Sequence, residues 1–333
     1  MKVSKQTTTI LRITVSVALL LALVWMCSKE TGSGAGIWQT MRDAAPLPLA
    51  GAFALYLASM LVAAYRWRIL LRTQGIEAGV WRLTRYYLIG SFFNNFLPSS
   101  VGGDVVRVLA LTTRGCSAPV SFASVFVERL IGFLAIALLS IASLLLLWHE
   151  LDSALVLVIT FGLGAAFAGV TWCAFNRRAA GLIMGLCARL RWRGIGDMIC
   201  RVYDAVHVYR GHRGALWQVF AISLAYQFIL GVSTYLVAIA TGLQVGFWMM
   251  FALMQITAMA GVVPITLETA GVREGIYVLV LGAQGISKSV TLGTMLLVRL
   301  VAVIGSSLGG LCLLFGEQKD RTLLPRVAHT PGT

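Results

Sequence analysis

The sequence predicts an all-α, polytopic integral membrane bundle in which two re-entrant helical hairpins form an inverted-topology repeat. Three observations lead to that fold class. Of 333 residues, 58% are apolar and 12% charged, with a mean hydropathy of +0.84, whereas about a quarter of the residues in soluble domains are charged. The stretch 91–107, SFFNNFLPSSVGGDVVR, places amides, a proline, hydroxyls, a glycine pair and two charges in apolar surroundings. A single helix does not cross hydrocarbon with that content, because Pro98 removes a backbone donor and Gly102-Gly103 loosens the chain. The stretch 254–274, MQITAMAGVVPITLETAGVRE, repeats the pattern in altered form around Pro264.

Taken in order, Lys2, Lys5 and Arg12 precede an apolar run at 13–27. No small-x-small cleavage site follows, so this run reads as a retained first span with its N-terminus inside. Residues 29–43 form an outer loop, and a second span covers 46–65. That span ends in Arg66, Arg68 and Arg72, followed by Arg82 and Arg85, a basic cluster that marks the cytoplasmic side. The first hairpin occupies 83–113. The stretch 115–148 is uncharged apart from Glu128-Arg129. It exceeds the roughly 20 residues a span needs, so the pair lies inside the membrane, about a third of the way across.

A further span covers 153–175, and a basic cytoplasmic loop covers 176–214. Within the loop, Leu182, Ile183, Leu186 and Leu190 recur at helical spacing, which predicts an amphipathic helix on the inner leaflet. The loop fixes topology by its charge; specific lipid sensing is the alternative. A span at 215–241 returns outward, the second hairpin follows, and the last span at 289–315 holds one charge, Arg299. The chain therefore reads as one transmembrane domain, 1–316, with a cytoplasmic tail, 317–333. Each half repeats span, broken hairpin, and span with a buried arginine: Pro98 to Arg129 is 31 residues (129 minus 98) and Pro264 to Arg299 is 35 (299 minus 264). The first hairpin opens to the cytoplasm and the second to the outside, an architecture transporters use to build a central site.

Several function classes find no support. The six cysteines contain no CxxC pair and the four histidines are scattered, so neither a metal centre nor another cofactor is expected. The net charge of +14 belongs to loop placement and anionic lipid, with no nucleic-acid partner. There is no G-x-x-x-x-G-K-[ST] loop for ATP. An enzyme acting on lipid phosphates needs an acidic metal pair or a histidine base, and the inner-face segments offer arginines instead, so the chain is not expected to be an enzyme.

The run NNFLPSSVGGDVVR, the later VERLIG and the second-half P-x-x-x-E-x-x-G-V-R-E element resemble the flippase-like transmembrane domain of lysylphosphatidylglycerol synthases, over about residues 10–316. The resemblance implies two re-entrant hairpins around a polar cavity and movement of a lipid headgroup across the bilayer. In bifunctional members an aminoacyl-transferase domain follows. This chain ends at Thr333, so it resembles a stand-alone member, the synthetic activity is not implied, and the lipid is left open.

A charge facing hydrocarbon costs roughly 2.5 to 3.5 kcal/mol on insertion scales. Asp104, Glu128, Arg129, Glu268, Arg273, Glu274 and Arg299 are therefore expected to face a cavity or a partner. Arg129 and Arg299 can hold a phosphate bidentately, or can neutralise the nearby carboxylates and lock the hairpins. Asp104 and Arg107 open the hairpin's second helix, where Asp104 serves either an anionic site or a plain N-terminal cap. Asn94 and Asn95 hydrogen-bond a headgroup or a neighbouring helix. With Ser99 and Ser100 these make up the expected substrate-binding set.

The expected function is a translocator of a lipid or lipid-linked headgroup, anionic or phosphate-bearing, in the plasma (inner) membrane with both termini cytoplasmic. Its expected partners are anionic or polyprenyl-linked lipids. The alternatives are a non-catalytic accessory subunit of envelope lipid or glycan synthesis, associated with a synthase, and a carrier of a water-soluble anion. Substrate identity, direction, energy source and oligomeric state are not encoded in any motif found.

Overall fold

The computed structural model describes residues 35–96, 102–147, 161–162, 164–166, 168–172, 195–260 and 271–315. The expectations for the first span at 13–27, for the helix of Leu182 to Leu190, for Pro98 and for Pro264 lie outside these residues. The elements in the described residues are helices, with no strands among them. They are α1 (Ala35–Arg42), α2 (Pro46–Thr73), α3 (Val80–Phe96), α4 (Gly102–Thr112), α5 (Ala118–Leu146), α6 (Ile195–Val208), α7 (Arg213–Ala240), α8 (Phe247–Ala260), α9 (Val272–Ala283) and α10 (Lys288–Phe315).

Four of these, α2, α5, α7 and α10, are long and apolar enough to cross a membrane. Their surfaces agree with that length. Leu47, Leu146, Trp217 and Ile304 are among the large apolar side chains left exposed, as expected where lipid tails replace water as the outer solvent. The helices begin and end on local signals. Proline occupies the first turn of both α2 and α5, where the missing N–H has no intrahelical partner to lose. At the other end of α2, Gly75 takes φ +72° and the Ile76 N–H reaches back to the Leu71 carbonyl. α7 stops the same way, with Gly242 at φ +69° and Leu243 N–H on the Ala238 carbonyl.

The helix lengths repeat. Residues 46–146 run long, short, short, long, with 28, 17, 11 and 29 residues in α2 to α5. Residues 213–315 run 28, 14, 12 and 28 in α7 to α10. The packing repeats as well. α3 of the first unit lies on α10, and α8 of the second lies on α5; α2 packs on α10 and α7 on α5. The two units meet most extensively through their first helices, α2 and α7. These run antiparallel: the Ala45 N–H bonds the Ala240 carbonyl, Ser233 Oγ bonds the Ala52 carbonyl, and Arg66 reaches Ser223.

Each unit has its own apolar core. Ala64, Trp67, Leu71, Leu83, Leu111 and Val125 join α2 to α5. Leu144, Met250, Leu253, Tyr277, Leu281 and Met295 join α5 to α8, α9 and α10. α3 and α4, at about 26 and 17 Å, fall short of the roughly 30 Å hydrocarbon core. They lie against each other, and they touch backbone to backbone at two glycines: a Cβ on Gly90 would stand 2.9 Å from the Gly103 carbonyl oxygen.

Two expectations change here. The outer loop at 29–43 contains α1, which packs on α10. The second span does not stop at residue 65 but continues to Thr73, carrying Arg66 into the bundle, where it is 8% exposed. Within the basic loop the described helix is α6, which packs on α5 through Ala205, Val206 and the buried Tyr209 beyond it.

Candidate functional site

The first unit holds a cavity of about 240 Å³ between α2, α3, α4, α5 and α7. Five ionised side chains line it: Arg66, Asp104, Arg107, Glu128 and Arg129. Helical phase puts them there. Arg66 shares the inward face of α2 with Ala63, Trp67 and Leu70, all buried. Asp104 and Arg107 are one turn apart on α4, and Glu128 and Arg129 are adjacent on α5.

Glu128 is the hub. Its Oε1 accepts from Arg66 Nε at 3.0 Å and Nη2 at 2.6 Å, and also from the Tyr87 hydroxyl. Its Oε2 accepts from Arg107 Nη2. At 1% exposure this carboxylate has exchanged water for two guanidiniums and a phenol, the only terms on which a buried charge is stable. Arg66 also donates from Nη1 to Ser223 Oγ on α7, at 3.1 Å, which ties the second unit to the hub.

Arg107 is held by two aromatic rings set edge-to-face to each other. Its guanidinium carbon lies 4.2 Å from the Trp67 ring centroid and 3.9 Å from that of Tyr87. Such contacts reach about 2 kcal/mol when desolvated. Trp67 is itself fixed by its indole N–H, which donates to Ser124 Oγ at 3.1 Å. Asp104 Oδ1 takes Arg107 Nη1 at 3.4 Å and Oδ2 pairs with Arg129 Nε. Asp104 is therefore an ion-pair partner. The amide at the start of α4 is satisfied from elsewhere, because Gly103 N–H donates to Asn94 Oδ1 on α3 at 2.6 Å. Asn94 thus bonds a neighbouring helix, one of the two uses open to it.

Neutral polar groups complete the lining. Ser91, Asn94 and Gln227 are among the lining residues, and Ser91 Oγ lies 3.3 Å from the Tyr56 hydroxyl. Arg129 presents the most surface of the five ions, its side chain being 30% exposed against 13% or less for the others. Among the described residues no group of three or more His, Cys, Asp or Glu could hold a metal ion.

The second-unit charges stand apart from this cavity. Glu274 Oε1 accepts from Arg299 Nε and Nη2 at 2.9 and 2.7 Å, and its Oε2 accepts the Gly271 N–H at 2.8 Å. Arg273 is half-buried beside Glu274 on α9. Ser99, Ser100, Glu268 and the side chain of Asn95 lie outside the described residues. Sequence reasoning missed Arg66, Trp67, Tyr87, Ser91, Tyr226 and Gln227. For Arg66 the available signal was its spacing from Ala63, Trp67 and Leu70 on one helical face.

Helices long and apolar enough to span a bilayer, enclosing a polar cavity lined by ion pairs, define a multi-pass membrane protein with a charged interior site. More particularly, the chain belongs to the lysylphosphatidylglycerol synthase TM region family, whose pattern matches residues 10–310. Two curated relatives from Methanothermobacter thermautotrophicus, each described as a UPF0104 membrane protein, are similar to it. One is 23% identical over 309 residues, covering 85% of this chain and 87% of the relative. The other is 23% identical over 313 residues, covering 87% and 92%.

Proposed function

We propose that the protein translocates a lipid or lipid-linked headgroup across the plasma membrane, without chemistry on it, and that an anionic or phosphate-bearing headgroup binds in the cavity of the first unit. One observation carries this reading: three arginines line a cavity among helices long enough to span a membrane, and one of them, Arg129, is the most exposed of the ions there. Planar guanidiniums match phosphate oxygens bidentately. Lipid tails need no aqueous path, so a polar chamber at membrane depth is suited to the headgroup alone.

We further propose that α3 with α4, and α8 with α9, are re-entrant hairpins and that the two units form an inverted repeat. The short helix lengths, the exchange-symmetric packing and the antiparallel run of α2 and α7 support this. On this view Arg273, Glu274 and Arg299 belong to the corresponding site on the opposite side, which opens when the units exchange conformations. Both termini are taken to be cytoplasmic, from the distribution of arginine.

The test is reconstitution of the purified protein in vesicles carrying acyl-labelled phosphatidylglycerol, with leaflet exchange read by chemical quenching. The expected result is exchange well above empty vesicles, lowered by Arg129→Gln in protein that still purifies as a folded species. Equal exchange with and without protein, combined with co-purification of a lipid or glycan synthase, would support the accessory-subunit reading instead.

A further inference from the structure

We infer that Gln255 on α8 binds a hydroxyl of the translocated headgroup in the state that opens the second unit; the inference rests on the translocator reading above. α8 is enclosed on every side. Each residue from 249 to 257 is buried, and the helix packs on α5, α7 and α9. Two side chains in that stretch are polar. Thr257 is satisfied by its own helix, its hydroxyl donating to the Leu253 carbonyl at 2.7 Å. Gln255 is fully buried, and neither its Nε2 nor its Oε1 has a hydrogen-bond partner among the described residues. Buried amides are almost always paired, and an unpaired one lowers the stability of the state that holds it. Packing does not call for the glutamine, since methionine fills a similar volume and already occupies the helix as Met249, Met250, Met254 and Met259.

Helix register places the amide next to the cavity. Tyr235 and Phe247 are in ring contact at 5.4 Å, and a Cβ on Gly231 would collide with the Phe251 ring. The two contacts step four residues in opposite directions, so α7 and α8 run antiparallel, and the next step brings Gln227 to the level of Gln255. Gln227 lines the cavity and Gln255 does not. α5 has the same boundary. Ile136 lines the cavity, Leu144 belongs to the core around α8, and Ser140, one turn from each, is fully buried with no partner for its hydroxyl among the described residues. Ser140 and Gln255 thus stand at the cavity's edge on two helices that pack together. They meet its contents when α8 withdraws from α7.

The amide selects the ligand group. Nε2 donates and Oε1 accepts, so full pairing needs a ligand group that does both. A hydroxyl does. A phosphate oxygen only accepts and an ammonium only donates, and each leaves half of the amide unpaired. Ser140 and Gln227 likewise donate and accept. With the phosphate held in the first-unit cavity, a hydroxyl on the far side of the phosphodiester, as in the soluble headgroup analogue glycerophosphoglycerol, is the part that reaches α8.

The experiment compares two tail-labelled lipids that share the phosphodiester and its charge: phosphatidylglycerol, which has headgroup hydroxyls, and phosphatidylmethanol, which has none. Full-length wild type and Gln255→Met are purified in detergent for melting temperatures, then reconstituted in phosphatidylcholine vesicles for leaflet exchange. Gln255→Met should melt no lower than wild type, because it deletes an unpaired amide at nearly constant volume. The ratio of phosphatidylglycerol to phosphatidylmethanol exchange should fall about fivefold in the variant, the factor for one lost hydrogen bond. An unchanged ratio overturns the inference and leaves the translocator reading standing, whether both lipids slow together or neither does. A lower melting temperature also overturns it, since the amide then has a structural partner. If wild type moves neither lipid, the translocator reading fails and this inference with it.

Discussion

Asp104 pairs with Arg129 at the same two helix positions at which Glu274 pairs with Arg299. In each unit the carboxylate is the third residue of a short helix and the arginine the twelfth of the long helix that follows. Both pairs are 25 residues apart, 129 minus 104 and 299 minus 274. The correspondence between the two units therefore reaches down to individual ion pairs that tie each short helix to its neighbour. The difference between the units lies one step away. Glu128 is the eleventh residue of α5, where α10 has Val298, and Arg107 is the sixth of α4, where α9 has Tyr277. Tyr277 is fully buried in an apolar cluster, so what is a charged cavity in one unit is packed core in the other.

Glu128→Gln should destabilise strongly. It leaves Arg66 and Arg107, both nearly inaccessible, facing a neutral amide. Removing one partner of a buried pair costs about 3 to 5 kcal/mol. The expected outcome is a lower melting temperature in detergent, measured by differential scanning fluorimetry. Adding Arg66→Gln should recover part of the loss, because the second charge no longer lacks a partner. A double variant as unstable as the sum of the two singles would show that Arg66 and Glu128 are not coupled.

Gly103→Ala should separate α3 from α4. The added methyl would meet the Gly90 carbonyl carbon at 2.7 Å and Asn94 Oδ1 at 2.8 Å, and backbone cannot move aside as a flexible side chain can. Overpacking costs roughly 1 to 3 kcal/mol, and here it also disturbs the bond from Gly103 N–H to Asn94. Loss of both thermal stability and lipid exchange is expected. Gly79→Ala, with nothing within 4 Å of the added carbon, should leave both unchanged and serves as the control.

What was legible in the sequence follows from contrast. Glu128 and Arg129 stand out because every other residue for many positions on either side is uncharged, and both proved internal. The break expected near Pro98, from proline and paired glycines in an apolar run, lies outside the described residues, which hold one helix up to Phe96 and another from Gly102. Arg66 was hidden by its neighbours. With Arg68 and Arg72 it reads as a loop cluster, but α2 continues through all three, and its phase turns Arg66 inward with Trp67 and Leu70 while Arg72 stays exposed. Tyr226 and Gln227 were hidden for another reason: they join the site only through the pairing of α7 with α2. That pairing is a tertiary fact with no local signature.

Trp67→Phe should be mild and Trp67→Leu severe. The phenyl ring keeps a face against Arg107 but gives up the indole bond to Ser124, a loss of about 0.5 to 1.5 kcal/mol, and part of the buried ring volume. Leucine removes the aromatic face as well, leaving the guanidinium with Tyr87 alone. Chemical unfolding in mixed micelles should rank the wild type above Trp67→Phe and both well above Trp67→Leu. Equal effects of the two substitutions would mean that the ring face contributes nothing.

Arg129→Gln and Arg299→Gln separate binding from locking. Each strips an arginine from a carboxylate at the same repeat position, but only Arg129 lines the cavity. Glu274 is 1% exposed and loses two charge-assisted bonds when Arg299 is replaced, retaining only the Gly271 N–H. Asp104 is more accessible and retains Arg107. Arg299→Gln should therefore lower the melting temperature more than Arg129→Gln does. The order should reverse for ligand: stabilisation by glycerophosphoglycerol should be lost in Arg129→Gln and kept, from a lower baseline, in Arg299→Gln. If Arg299→Gln abolishes that stabilisation while Arg129→Gln preserves it, the headgroup site lies in the second unit, and the cavity between α2, α3, α4, α5 and α7 has some other use.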